Sequence, residues 1–277
     1  MSEQGNGHRV VITGMGAITP LGNSVDEYWQ NLVNGESGIG PITVVDPGPY
    51  PAKFSGDIKD FEPQDYMDRK DARRMARFSQ YAVAATRQAV EDSGLGESGI
   101  DPERLGVSMG NGFGGLPNTD EAVRKIVEKG GMRIDPFFML KVLPNMAAAH
   151  VTLNFNAKGP STTITTACAA ATQAMGHATE MIRRGKVDAV LSGGTEAGHC
   201  ELGLASFSVM KVLSTHYEDP KKASRPFDAK RDGFVSAEGS AMFTLESLEH
   251  AQERGVHIDA EIICAAASAD AYHMVAP

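Results

Sequence analysis

The stretch Gly159-Pro160-Ser161-Thr162-Thr163-Ile164-Thr165-Thr166-Ala167-Cys168-Ala169-Ala170-Ala171-Thr172 decides how the chain is read. Residues 161–166 are rich in β-branched side chains, which favour a strand. Helix-period sequence follows at once, with Ala170, Ala174, Ala178 and Met181 on one side. Cys168 falls where strand becomes helix, among small residues that let the backbone turn sharply. A thiol there faces the free N–H groups and positive end of a helix, which favour negative charge. This is the strand–turn–helix logic of a nucleophile elbow, with Cys in place of Ser. The same residues are compatible with a buried, inert cysteine in an Ala-rich helix, because free cysteines are often simply buried.

Outward from this stretch, strands and helices alternate. Residues 9–13 form a short apolar strand, and Gly14-Met15-Gly16 is expected to turn the chain out of it. A helix capped by Asn23 or Ser24 runs through Val33. Residues 36–66, interrupted by Pro41, Pro47, Pro49, Pro51 and Pro63, read as an irregular connection. Residues 68–94 are strongly helical, with a break expected near Asp71. The early part is basic (Arg69, Lys70, Arg73, Arg74, Arg77), and Arg69, Arg73 and Arg77 are spaced as a helical stripe. The later part is apolar-periodic, through Phe78, Tyr81, Ala82, Ala85 and Ala89. Further strands are expected at 105–110, 187–193, 240–246 and 260–267. Further helices are expected at about 118–128, 142–155, 201–211 and 247–254, with a polar loop at 214–233. This alternation argues for an α/β sheet with helices on both faces.

Composition narrows the function classes. A net charge of −9 argues against a nucleic-acid binder. Three cysteines, an odd number, make no disulfide framework and fit a reducing compartment. No apolar run is long enough for a membrane span. A soluble, cytoplasmic protein is expected.

A second candidate motif is Gly110-Asn111-Gly112-Phe113-Gly114-Gly115, which fits G-x-G-x-x-G between strand and helix. With Gly14-Met15-Gly16 it suggests a dinucleotide-binding oxidoreductase. Against that, the fingerprint lies in the second βα unit, and no acidic residue ends a strand at the distance a ribose contact needs. The one Tyr–Lys pair at reductase spacing, Tyr217 and Lys221, encloses Pro220. The plainer reading of both clusters is tight turns that let backbone approach neighbouring chain.

A set of ordered motifs runs along nearly the whole chain. They are Val10-Val11-Ile12-Thr13-Gly14-Met15-Gly16 with Thr19-Pro20-Leu21-Gly22, Gly112-Phe113-Gly114-Gly115, and Gly159-Pro160-Ser161 with Thr166-Ala167-Cys168-Ala169. Then come Gly193-Gly194-Thr195-Glu196, Leu213-Ser214-Thr215 and Ser224-Arg225-Pro226-Phe227-Asp228. Last are Arg231-Asp232-Gly233-Phe234-Val235 and Asp270-Ala271-Tyr272-His273-Met274. In these the chain resembles the N-terminal part of an elongating β-ketoacyl–acyl carrier protein synthase, a condensing enzyme of the thiolase fold.

The resemblance implies a layered α-β-α-β-α fold made of two similar halves, usually a homodimer. Residues 1–258 would form the N-terminal half, and 259–277 would open a second half, with 260–267 as a strand lacking companions in this chain. Cys168 would accept an acyl chain as a thioester, and a carrier-bound malonyl unit would supply the two-carbon extension. Phe113 would lie against the acyl tail and limit its length, with Phe207 as a gating aromatic. Lys70, Arg73 and Arg74, with Lys211 as a further contributor, would dock an acidic acyl carrier protein. No metal or redox cofactor is implied, the substrates being carried on the phosphopantetheine of that carrier. The family pattern also requires two histidines from its second half, the first in an Asn-Ala-His-Gly-Thr context. None of the eight histidines here is followed by Gly. His150, His177 and His199 are poor substitutes, and only His273 matches a position near the pocket mouth. The 277 residues alone are therefore expected to need a complementary half for condensation. A non-catalytic partner subunit like the chain-length factors is the alternative, but those lack the cysteine.

Overall fold

The structure, a computed structural model, describes residues 7–273. Residues 274–277 of the segment expected to open a second half lie outside the described residues, as does Met274 of the last motif. The first strand, β1 (Val10–Ile18), continues straight through Gly14-Met15-Gly16, so the turn expected there is replaced by strand. The glycines instead admit a helix. A Cβ on Gly16 would lie 1.9 Å from the carbonyl oxygen of Ala85, a clash only glycine avoids.

Helix α1 (Val25–Val33) starts where the Ser24 hydroxyl accepts from the Glu27 N–H. The connection after it is mostly irregular but holds a two-stranded pair, β2 (Gly40–Pro41) and β3 (Phe54–Ser55). The basic segment breaks after Ala72, between α2 (Arg69–Ala72) and α3 (Arg77–Ser93). The break divides the expected basic stripe. Arg77 opens α3 and turns inward to the buried Glu238, 3.4 Å away, and to the ring of Tyr81.

After β4 (Leu105–Gly110), α4 (Leu116–Lys129) begins earlier than expected. Pro117 suits its first turn, where an N–H would have no helical partner anyway. The helix expected over 142–155 is two helices, α5 (Phe138–Val142) and α6 (Met146–Asn154). Pro144 has no N–H to donate and pushes Leu143 into extended backbone, ψ 131°. Then follow β5 (Ser161–Ile164), α7 (Ala170–Arg183), β6 (Ala189–Glu196) and α8 (Glu201–Val209). The chain continues with β7 (Gly239–Ser247), α9 (Leu248–Arg254) and β8 (Ala260–Glu261).

The main sheet has the order β5-β4-β6-β7-β1-β8. Strands β5, β4 and β6 are parallel, whereas β7, β1 and β8 each run antiparallel to the preceding neighbour in that order. The strand expected at 260–267 is only two residues long, and it does have a companion: Val11 pairs with Glu261. Helices α3 and α6 cover one face and α7 covers the other. Along β6 the side chains alternate accordingly, with Ala189 and Leu191 in the α3 core and Val190 in the α7 core. The result is one α-β-α sandwich, half of the layered arrangement the resemblance implies.

One residue inverts β1. Between Ile12 and Gly14 its pairing with β7 slips by one. Val10 and Ile12 pack under α7, whereas Gly14, Gly16 and Ile18 face α3. The extra residue, Thr13, donates its hydroxyl to Glu246, which is fully buried. Arg254 donates to both oxygens of that carboxylate at 2.6 and 2.7 Å, and His250 contacts it as well. The cluster ties the bulge, β7 and α9 together. Replacing Arg254 with Met should cost about 3–5 kcal/mol in denaturant unfolding, because it strands a buried charge. A cost below about 1 kcal/mol would mean that the cluster does not hold these elements.

Candidate active site

Cys168 sits in a single 3-10 turn, Ala167–Ala169, between β5 and α7, and it is exposed. The turn is tight enough to put Ala167 at φ +50°, a left-handed conformation that a residue with a Cβ adopts at a cost of about 1–2 kcal/mol. Behind it, the first turn of α7 presses on the sheet. A Cβ on Gly110 would meet the backbone nitrogen of Ala171 at 2.3 Å. Ala170, Ala174 and Ala178 are buried along the helix, as their spacing predicts. The expectation of a buried cysteine is not met: the thiol is exposed at the start of a 14-residue helix.

The glycine-rich loop after β4 has no N–H left for a pyrophosphate. Asn111 donates to Ile164, Gly112 and Phe113 donate to the Glu196 carboxylate at 3.0 and 2.9 Å, Gly114 donates to the Asn111 side chain, and Gly115 donates to Val142. Burial pushes the Glu196 carboxyl above its ordinary value, against the pull of these amides and of the Ala197 N–H. The loop is a self-satisfied turn that fixes Phe113. That removes the feature on which the oxidoreductase reading rested.

Phe113 and Phe207 come together, with ring centroids 5.8 Å apart, edge to face. Phe234 extends the row, 5.4 Å from Phe207. The three rings line an apolar cleft with Leu204, Cys200 and Leu213. Phe234 stands in a family motif, Arg231-Asp232-Gly233-Phe234-Val235, without a role of its own there. Only the tertiary contact with Phe207 reveals one.

The expected basic residues Lys70, Arg73 and Arg74 line one groove with Arg69, Arg133, Lys125 and Lys141. Within it Arg74 lies over the Phe137 ring, and Lys141 is neutralised by Asp135 at 2.6 Å. Lys211 is elsewhere. It follows α8 in a left-handed conformation, φ +58°, and does not line this groove. His150 is partly buried on α6, as a packing histidine is, whereas His177 is exposed on α7 with its Nδ1 3.4 Å from the Ser108 hydroxyl, so the packing role expected for it is not what the structure shows. Burial pushes His150 below its ordinary value. His273 is exposed at the end of the described residues. Among the described residues there is no group of three or more potential metal ligands, and no helix is long and apolar enough to cross a membrane.

Comparison with known proteins agrees with this geometry. The family described as Beta-ketoacyl synthase, N-terminal domain, matches residues 7–251. The 3-oxoacyl-acyl-carrier-protein synthase 2 of Staphylococcus aureus (strain N315) is 44% identical over 97% of this chain. The protein of the same name from Synechocystis sp. (strain ATCC 27184 / PCC 6803 / Kazusa) is 43% identical, also over 97%. The chain spans 65% of the length of each. Among solved structures, the ishigamide ketosynthase/chain length factor aligns with a TM-score of 0.86 at 33% identity, covering 93% of this chain and 63% of that one. A ketosynthase bound to the hexaketide, in complex with its type II PKS acyl-carrier protein, aligns at 0.82 and 33%, covering 92% and 62%.

One cluster in the cleft wall left no signal in the sequence. His199, dismissed as a poor substitute, has its Nδ1 2.9 Å from Oδ1 of Asp57 and its Nε2 2.9 Å from the Ser236 hydroxyl. Asp57 is buried and also accepts from the Ser55 hydroxyl and from the N–H and hydroxyl of Thr43. Burial alone would raise its carboxyl, but His199, Ser55 and Thr43 together hold it well below the usual carboxylate range. No spacing links residues 57, 199 and 236, so no sequence signal could have joined them. The carboxyl titrates below its unfolded value of 3.8. Its contribution to stability is therefore complete above about pH 5 and lost as pH falls through that value toward the folded one. Asp57→Asn should lower the unfolding midpoint at neutral pH, and the gap to wild type should close between about pH 5 and pH 2. A gap that stays constant over that range would contradict the assignment.

Proposed function

The chain belongs to the β-ketoacyl synthase family through that family's N-terminal domain, and we propose that it carries the acyl-accepting nucleophile of a 3-oxoacyl–acyl-carrier-protein synthase. The observation that carries this reading is the exposed Cys168 on its left-handed turn at the start of α7. The thiolate attacks the carbonyl carbon of an acyl thioester, and the tetrahedral oxyanion collapses with loss of the carrier thiol. The Cys168 N–H, in the unpaired first turn, is one donor to that oxyanion. The acyl tail runs toward Phe113 and Phe207, where each buried CH2 contributes about 0.8 kcal/mol and the Phe113 ring takes up room that further methylenes would need.

In the second step a carrier-bound malonyl unit loses carbon dioxide. Its carbanion attacks the Cys168 thioester, which frees the thiolate and gives a 3-oxoacyl product two carbons longer. Neither step calls for a metal or redox cofactor. No histidine here stands in the family's Asn-Ala-His-Gly-Thr context, so donors for the malonyl carbonyl are assigned to residues outside these 277, in a complementary half that residues 259–277 begin. Fatty-acid and polyketide service both fit this chemistry. An acidic acyl carrier protein is the proposed partner, docking on the groove of Lys70, Arg73 and Arg74 with Lys211 as an outlying contributor. A homo-oligomer in the cytoplasm completes the proposal. The presence of Cys168 favours this reading over a non-catalytic partner subunit.

Incubation with an acyl thioester donor should add one acyl mass to the protein, mapped to Cys168 and absent from Cys168→Ala. Acylation of Cys200 or Cys264 instead would sink the proposal. Reversing Arg73 and Arg74 to Glu should weaken carrier binding about tenfold or more at low salt, mainly through slower association, with the difference shrinking as salt rises. Equal affinities at low salt would move the docking site elsewhere.

A further inference from the structure

The condensing reaction proposed above uses none of Asp57, His199 and Ser236, yet their order of contacts is that of a serine nucleophile with its base. Ser236 Oγ lies 2.9 Å from His199 Nε2, within reach for proton transfer. On the other side of the ring, Asp57 Oδ1 is 2.9 Å from Nδ1. That contact lacks in-line hydrogen-bond geometry, so Asp57 acts by charge, stabilising the imidazolium that forms when His199 takes the serine proton. The carboxylate cannot swing away, because Ser55 and Thr43 hold it at 2.5 to 2.8 Å. The side chains of His199 and Asp57 are only 10% and 5% exposed, which shields the pair from water.

Ser236 is partly exposed, on the wall of the same apolar cleft that Phe113, Phe207 and Phe234 line. The backbone N–H groups of Ser236 and Ala237 make no hydrogen bond among the described residues. The N–H that follows a nucleophile is the position from which an oxyanion is held in hydrolases with this arrangement.

We propose that Ser236 is a second nucleophile of this protein, with His199 as its general base and Asp57 as the positioning charge, and that it hydrolyses esters or thioesters whose acyl group fits the aromatic cleft. Ser236 Oγ bonds to the carbonyl carbon as its proton passes to His199 Nε2. The C–O or C–S bond of the substrate breaks, and the leaving alcohol or thiol takes that proton. Water, deprotonated by His199, then attacks the acyl-serine, releasing the carboxylic acid and returning the proton to Ser236. The proposal does not depend on Cys168.

The test is active-site labelling of the purified protein with an alkyl fluorophosphonate, which phosphonylates activated serines, followed by peptide mass mapping. One label per chain is expected at Ser236, absent from Ser236→Ala. His199→Asn should slow labelling about 100-fold or more, the usual worth of a general base. A cluster that merely ties three segments together predicts no covalent label at all. An unlabelled Ser236 in folded protein, a label on another serine, or labelling at an unchanged rate in His199→Asn would each overturn the proposal. Should His199→Asn fail to fold, the presence or absence of the Ser236 adduct in the wild-type protein still decides. Iodoacetamide labelling of Cys168 in the same sample reads the condensing assignment separately, so one can fail while the other stands.

Discussion

The first turn of α7 is pressed against the ends of β4 and β6, and the placement of Cys168 depends on that contact. The backbone nitrogen of Ala171 would lie 2.3 Å from any Cβ at Gly110, and the Ala171 Cβ would lie 2.5 Å from one at Gly194. Close contact fixes where the helix begins. Since β5 pairs with β4, the end of that strand is fixed as well. Only a few residues join the two points, and Ala167 takes the left-handed conformation that makes the join. A thiol at residue 168 is then exposed at the helix start with little freedom to move. The buried stripe of Ala170, Ala174 and Ala178 supports the contact, because short side chains let the helix lie close to the sheet.

The other face rests on a related device at β1. Gly14 and Gly16 admit the carbonyls of α3, but they face that helix only because the Thr13 bulge reverses the strand. The bulge leaves Thr13 unpaired in the ladder, and its hydroxyl is satisfied by a fully buried glutamate. That glutamate in turn requires Arg254. Packing on one face thus obliges a polar cluster where β1, β7 and α9 meet, in keeping with the cost of an unpaired buried charge.

The same rule shapes the cleft. Glu196 is drawn into the sheet's end and consumes two loop amides, which fixes the turn that carries Phe113. Asp57 is buried beside the cleft and gathers Thr43, Ser55 and His199. Carboxylates therefore organise both walls: the half-buried Glu196 holds an aromatic side chain in place, and the buried Asp57 holds a histidine against a serine.

The sequence alone determined the elements whose signals are local. The β-branched run before Cys168 and the alanine stripe after it predicted strand, turn and helix in order, and the family motifs pointed to a condensing enzyme. Phe113, Phe207 and the basic group of Lys70, Arg73 and Arg74 were singled out by family position, but that the two rings meet edge to face was decided by the fold. Tertiary structure decided what depends on partners distant in the chain. Gly14 and Gly16 read locally as a turn, since glycine permits one, yet the approach of α3 makes them strand. The basic stripe read as one helix face, but Arg77 is drawn off by the buried Glu238. Residues 260–267 read as a strand without a companion, yet the edge of β1 accepts two of them. His199 read as an unremarkable histidine, because its partners Asp57 and Ser236 are brought beside it only when the chain folds. Propensity and capping act over a few residues and can be read in order. Close approach and charge satisfaction act between residues far apart in sequence, so only the folded chain fixes them.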